Sequence, residues 1–170
     1  YRKEFPDTDI KLLATAKMRD FSTKGIDFAV RYGKGNWGNV RADQLFENYV
    51  FPVCSPAFLK KNGPIINIAG LAKSTLLHLT QVDRNWVSWE AWFSAFSEVS
   101  HKFSHDFQFD NYTVLINAAL RGDGVALCSS ILAEDFLMRR ELVRPVSTKL
   151  RSEYSFYILR PKKHGLSSAG

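Results

Sequence analysis

No apolar run in this 170-residue chain approaches the ~20 residues that a helical membrane span needs, and no membrane partner is expected. Cysteine is scarce. Cys54 and Cys128 each close an apolar run, VFPVC and VALC, with no CxxC or other metal-like spacing around them. They read as small buried thiols in a reducing cytoplasm, and neither a metal nor a cofactor is expected. A disulfide between them would suit an exported protein, but nothing in their placement strengthens that idea. The short signatures of catalysis are also missing: GxSxG, a Walker loop, HExxH and an acid pair with a plausible partner. Gly33-Lys34-Gly35 is no dinucleotide fingerprint, because no third glycine follows at the required spacing. The chain therefore reads as a non-enzyme.

What is present is the material of a folded α/β protein. Hydrophobic residues make up 45% of the chain and aromatic residues 14%, with no low-complexity tract and no internal repeat. The net charge of +6 comes from scattered pairs such as Lys60-Lys61, Arg139-Arg140 and Lys162-Lys163. Pairs of this kind suit a solvated surface better than a nucleic-acid stripe. The opening YRKEFPDTD is too charged for a signal peptide and resembles the tail of a helix, so the chain is expected to begin in mid-fold.

Residues 109–127, FDNYTVLINAALRGDGVAL, hold the strongest local pattern. Asp110 or Asn111 supplies an N-cap oxygen. Tyr112, Leu115, Ile116, Ala119 and Leu120 then share one helical face, and Gly122 stops the helix. Strand–helix–strand is the βαβ unit of a parallel sheet, in which ligands bind beyond the carboxyl ends of strands. Elsewhere, 9–16, 26–32, 44–54, 75–79, 142–146 and 154–159 read as strands, and 36–43 as a surface loop. Ser55-Pro56 opens a helix, 67–73 forms a helical turn, 87–96 a helix with Trp89, Trp92, Phe93 and Phe96 in the core, and 131–140 a helix capped by Ser129 or Ser130.

Taken in order, several pieces resemble the effector-binding domain of LysR-type transcriptional regulators, in the branch of the glycine-cleavage and β-lactamase regulators. They are DFAVRYGKGNW (27–37), PVCSPAFL (52–59), GLAKSTLLH (70–78), Trp89 with Trp92, the 109–127 segment and ELVRPV (141–146). The resemblance implies two Rossmann-like lobes joined by two crossover strands, a type II periplasmic-binding-protein-like fold. Lobe I would comprise 1–54 plus 154–170 and lobe II 55–153, with crossovers near 53–55 and 147–154. The family's helix-turn-helix and its first effector-domain strand have no counterpart here, so DNA contact is assigned to an N-terminal domain outside this chain.

The expected effector-binding residues line the cleft between lobes. Tyr32 and Gly33 end a strand there. Ser55 and Pro56 present a helix N-terminus suited to a carboxylate. His78 closes TLLH as a cleft-lining or structural histidine. Trp86 either closes over an effector or packs on the neighbouring helix. Asn111 and Tyr112 begin the 109–127 helix across from Ser55, with Tyr112 either a contact or core. Gly124 and Val125 approach the second crossover. The leading expectation is a sensor of a small metabolite, an amino acid or another carboxylate, working as a homodimer, with a tetramer open at full length. An exported solute-binding protein of the same architecture is the alternative.

Overall fold

The computed structural model describes residues 3–13, 26–80, 86–96 and 107–162. Among these, the strands fall into two sheets of opposite character. β1 (Ala29–Gly33) and β2 (Val40–Gln44) mix polar and apolar residues and are half-buried. By contrast, β3 (Tyr49–Val53), β4 (Leu76–Leu79) and β6 (Val125–Ser129) are apolar runs that are largely buried. Apolar runs of this kind belong inside a sheet covered on both faces. With β5 (Phe107–Phe109), β7 (Leu150–Arg151) and β8 (Ser155–Pro161), the sheets become a three-stranded β1-β8-β2 and a five-stranded β5-β4-β6-β3-β7.

The five-stranded sheet explains its own core through the period-two alternation of strand side chains. Phe51, Val53, Leu77, Ala126 and Cys128 face one side. There they meet Leu115, Ile116, Ala118 and Ala119 of α4 (Tyr112–Arg121) and Ala133 of α5 (Ser130–Met138). Val50, Cys54, Leu76 and Val125 face the other side. They meet Phe58 of α1 (Pro56–Asn62), Leu71 of α2 (Ile68–Ala72), and Trp89, Trp92 and Phe93 of α3 (Trp89–Ser94). Each fully buried Leu, Ile or Phe contributes roughly 1.5–3 kcal/mol by leaving water. The two buried indoles satisfy their N–H groups on backbone, Trp89 on the Leu77 carbonyl at 2.9 Å and Trp92 on that of Val50 at 3.2 Å.

Helix starts follow local chemistry. Ser55, Asn67 and Ser88 each accept one backbone N–H, and Asn111 accepts two, from Thr113 and Val114. Asn111 is thus the α4 cap, and Gly122 ends that helix in the left-handed region at φ 88°. Pro52 lies inside β3, yet no N–H is missed there. Cys54 N–H points to Val143, so Pro52 faces the same flank, where β7 pairs only with Tyr49 and Val50.

Several expected elements differ. Residues 36–43 do not form one loop, because Val40–Gln44 is β2, paired antiparallel with β8 and joined to it by the Asp43–Arg160 ion pair. The expected strand over 44–54 is broken, since 45–48 link the two sheets. β3 itself pairs in the five-stranded sheet, so the chain passes between sheets at 45–48 and 152–154 rather than at 53–55. Residues 9–13 are not a strand, and 14–16 lie outside the described residues. The expected strand at 142–146 shrinks to one bridge, Val143 to Cys54. Phe96 is 36% exposed rather than core.

Gly124, just before β6, packs closely against the start of β4. A Cβ there would stand 2.8 Å from both the Thr75 carbonyl oxygen and Leu77 Cδ2. Gly124→Ala is expected to destabilise the fold by about 2 kcal/mol through overpacking. Gly38→Ala, which meets nothing within 4 Å, should stay within about 0.5 kcal/mol. Urea unfolding of the two variants checks both values.

Candidate functional site

Strand direction decides where a ligand site can lie. β4, β5 and β6 run parallel, so Leu79, Phe109 and Ser129 end at one edge of the sheet. β3 runs against them, with Val50 opposite Ser129 and Val53 opposite Ala126. The carboxyl edge therefore sits beside Asn48, where the chain arrives from the three-stranded sheet.

Asn48 organises that edge. It is 2% exposed. Its Nδ2 donates to the Tyr154 carbonyl at 3.0 Å and to the Tyr32 hydroxyl at 3.3 Å, while its Oδ1 accepts from Ser129 Oγ at 2.6 Å. Its backbone carbonyl accepts from Ser152 N–H at 2.9 Å. One side chain thus ties both connecting segments to β1 and to the end of β6. Ser129 stands at the N-cap of α5 without a side-chain capping bond, and its hydroxyl donates to Asn48. Tyr49 N–H donates to Ser130 Oγ at 3.1 Å and extends the same junction.

Above this tie lies an aromatic bridge between the sheets. Trp86 stacks on Tyr32 of β1 with centroids 4.7 Å apart, and on Tyr112 of α4 at 4.6 Å, both at 17°. Tyr32 is backed by Phe156 at 5.1 Å and Tyr154 at 6.1 Å. The Tyr112 hydroxyl meets Cys128 Sγ at 2.8 Å. Burial raises the Tyr32 phenol above its ordinary range. It raises that of Tyr112 further, with the Cys128 thiol adding to the effect. Both walls of the bridge are uncharged at neutral pH.

Of the expected site residues, Tyr32, Trp86 and Tyr112 come together, with Asn111 beside them as the α4 cap. His78 lies within β4, mostly buried, and lines a recess of about 180 Å³ with Thr80, Ser88 and Gln108. Gly33 packs beneath Trp37, whose ring would be 2.6 Å from an added Cβ. Ser55, Pro56, Gly124 and Val125 fall at the opposite end of the sheet. Ser55 Oγ is 3.2 Å from where a Gly122 Cβ would stand, and Gly122 is separated from Asn111 by the ten residues of α4, roughly 15 Å. Ser55 therefore does not face Asn111, and Gly124 packs on Thr75 and Leu77 rather than on a crossover. The carboxylate argument attached to the α1 N-terminus does not apply to this edge. Asn48, Ser129 and Tyr154 are the residues the sequence reading missed. The rule that ligands gather at carboxyl ends of parallel strands points to Ser129 once β6 is recognised.

Among the described residues, no cluster of three or more His, Cys, Asp or Glu could hold a metal ion, and no helix is long and apolar enough to cross a membrane.

Comparison with known proteins gives a consistent result. The family model described as LysR substrate binding domain matches residues 1–169. The glycine cleavage system transcriptional activator of Escherichia coli K12 is 29% identical over 159 residues, covering 94% of this chain and 51% of the activator. The transcriptional activator AmpR of Pseudomonas aeruginosa is 28% identical over 170 residues, covering 99% of this chain and 55% of AmpR. The chain spans about half the length of these relatives. Among solved structures, the effector domain of P. aeruginosa AmpR superposes with a TM-score of 0.75 at 27% identity, covering 99% of this chain and 78% of that one. The AmpR effector-binding domain of Citrobacter freundii gives 0.77 at 25%, covering 99% and 80%.

The two cysteines lie on opposite faces of the five-stranded sheet, both buried and free, and burial pushes each thiol up to about 12. At pH 8 the reactive thiolate is then only about one part in ten thousand. A thiol reagent such as dithionitrobenzoate is expected to label neither cysteine in the native protein and both in urea. Rapid native labelling of Cys128 would contradict the packing around Tyr112.

Proposed function

Because the chain belongs to the LysR substrate-binding-domain family, we propose that it is the metabolite-sensing part of a bacterial transcriptional regulator, with its effector site at the edge where Tyr32, Trp86 and Tyr112 meet. The single observation carrying this placement is that Trp86 stacks both on Tyr32 of the three-stranded sheet and on Tyr112 of the helix packed against the five-stranded sheet, with Tyr32 bonded to Asn48 where the chain crosses between the sheets. A ligand at this position touches both lobes and so can favour one relative arrangement over another. It can do so only by its difference in affinity for the two arrangements.

Sensing in this scheme involves no covalent chemistry. The intact regulator would work in the cytoplasm as a homodimer and would contact DNA through a separate N-terminal domain. Rearrangement of the lobes would change how the partner domains are paired and hence how the DNA-binding domains are spaced. The effector is a small metabolite. The glycine cleavage and AmpR relatives are both activators, which makes activation the direction to test first.

Thermal-shift screening of a metabolite library against the intact protein identifies the effector. Tyr32→Ala and Tyr112→Ala should each weaken its binding by about tenfold or more, the loss expected when an aromatic stacking wall is removed. Ser55→Ala should leave affinity unchanged. The placement fails if the Ser55 change weakens binding while both tyrosine changes do not.

A further inference from the structure

The three rings of the bridge come from three kinds of element. Tyr32 belongs to β1, is backed by Phe156 and Tyr154, and has its hydroxyl bonded by Asn48. Tyr112 is the first residue of α4, and its hydroxyl meets Cys128 within β6. Each wall therefore has supports that do not involve the indole. Trp86 lies outside any helix or strand, two residues before the Ser88 cap of α3, and is partly buried. Its ring stacks on both walls at 17°. These separations lie within the range that offset-stacked aromatic pairs prefer.

Resting on the sensing reading above, we propose that the space between Tyr32 and Tyr112 is a binding slot for one planar ring of the effector. Trp86 is its built-in occupant, displaced when the effector enters. The slot takes an uncharged aromatic or heteroaromatic ring of about indole size, because its two walls are flat phenol rings, each within 17° of the indole plane. Displacement gives sensing a defined start. With Trp86 in place, the protein's own ring joins the lobes. With the effector in place, the lobes are joined through a ligand whose substituents reach other groups at the edge.

Removing the occupant tests this without knowledge of the effector. In the intact protein, Trp86→Ala should lower the melting temperature and open the slot. Free indole, the probe, should then bind the variant about tenfold more tightly than wild type by calorimetry. At about ten times its Kd it should raise the variant's melting temperature by about 3 °C. The double variant Trp86→Ala/Tyr112→Ala should lose that response. Trp86→Leu serves the same titration if the alanine variant does not fold. Equal indole binding by wild type and variant, no binding by any variant, or a preference for tetramethylammonium over indole would each overturn the slot. None of these outcomes bears on whether a metabolite binds elsewhere in the cleft. Conversely, an effector that binds while Trp86 stays stacked on both tyrosines would support sensing and overturn displacement.

Discussion

The structure depends on one buried amide. Asn48 satisfies its donors on Tyr32 and the Tyr154 carbonyl and its acceptor on Ser129, while its backbone receives Ser152. An unsatisfied buried polar group costs more than the net gain from one hydrogen bond, so this network holds its members to one geometry. Because Asn48 ends the segment leading into β3, the network sets where the second sheet starts relative to the first. The carboxyl edge of β4, β5 and β6 then lies against β1, and Tyr32 comes within stacking reach of Trp86. The interlobe edge, the aromatic bridge and the proposed slot all follow from that placement.

A division of labour between the two sheets also emerges. The five-stranded sheet is stabilised by apolar layers on both faces and by buried tryptophans whose N–H groups are satisfied on backbone. The three-stranded sheet is held by antiparallel pairing, surface ion pairs and few buried side chains, of which Leu159 is one. Exposed ion pairs such as Lys34–Glu153 add at most about 1 kcal/mol each. Movement between lobes is therefore expected to concentrate at 45–48 and 152–154, with each sheet preserved.

What could be read from the sequence was local. Ser55 with Pro56, Asn111 and Gly122 mark helix ends through chemistry confined to a few residues: α1 begins at the first, and α4 begins and ends at the other two. The alternation of strands and helices likewise gave the α/β class. Strand direction was not legible, because a period of two is the same read forwards or backwards. Taking 44–54 as one strand buried Asn48 in its middle and hid the point of passage between sheets. The antiparallel course of β3 then carried Ser55 to the far end, away from Asn111. Tyr32, Trp86 and Tyr112 are cleft candidates through the family resemblance, each taken singly. Their mutual stacking is a long-range contact that no local pattern encodes.

The Asn48 tie fixes the junction between the two sheets. A double-mutant cycle with Asn48→Ala, Ser129→Ala and the pair, followed by urea unfolding of the intact protein, measures the coupling between the connecting segment and the end of β6. The predicted interaction energy is about 1–3 kcal/mol, as for contacting members of a buried network. An interaction energy near zero would show that the junction is held by other contacts and would contradict the account.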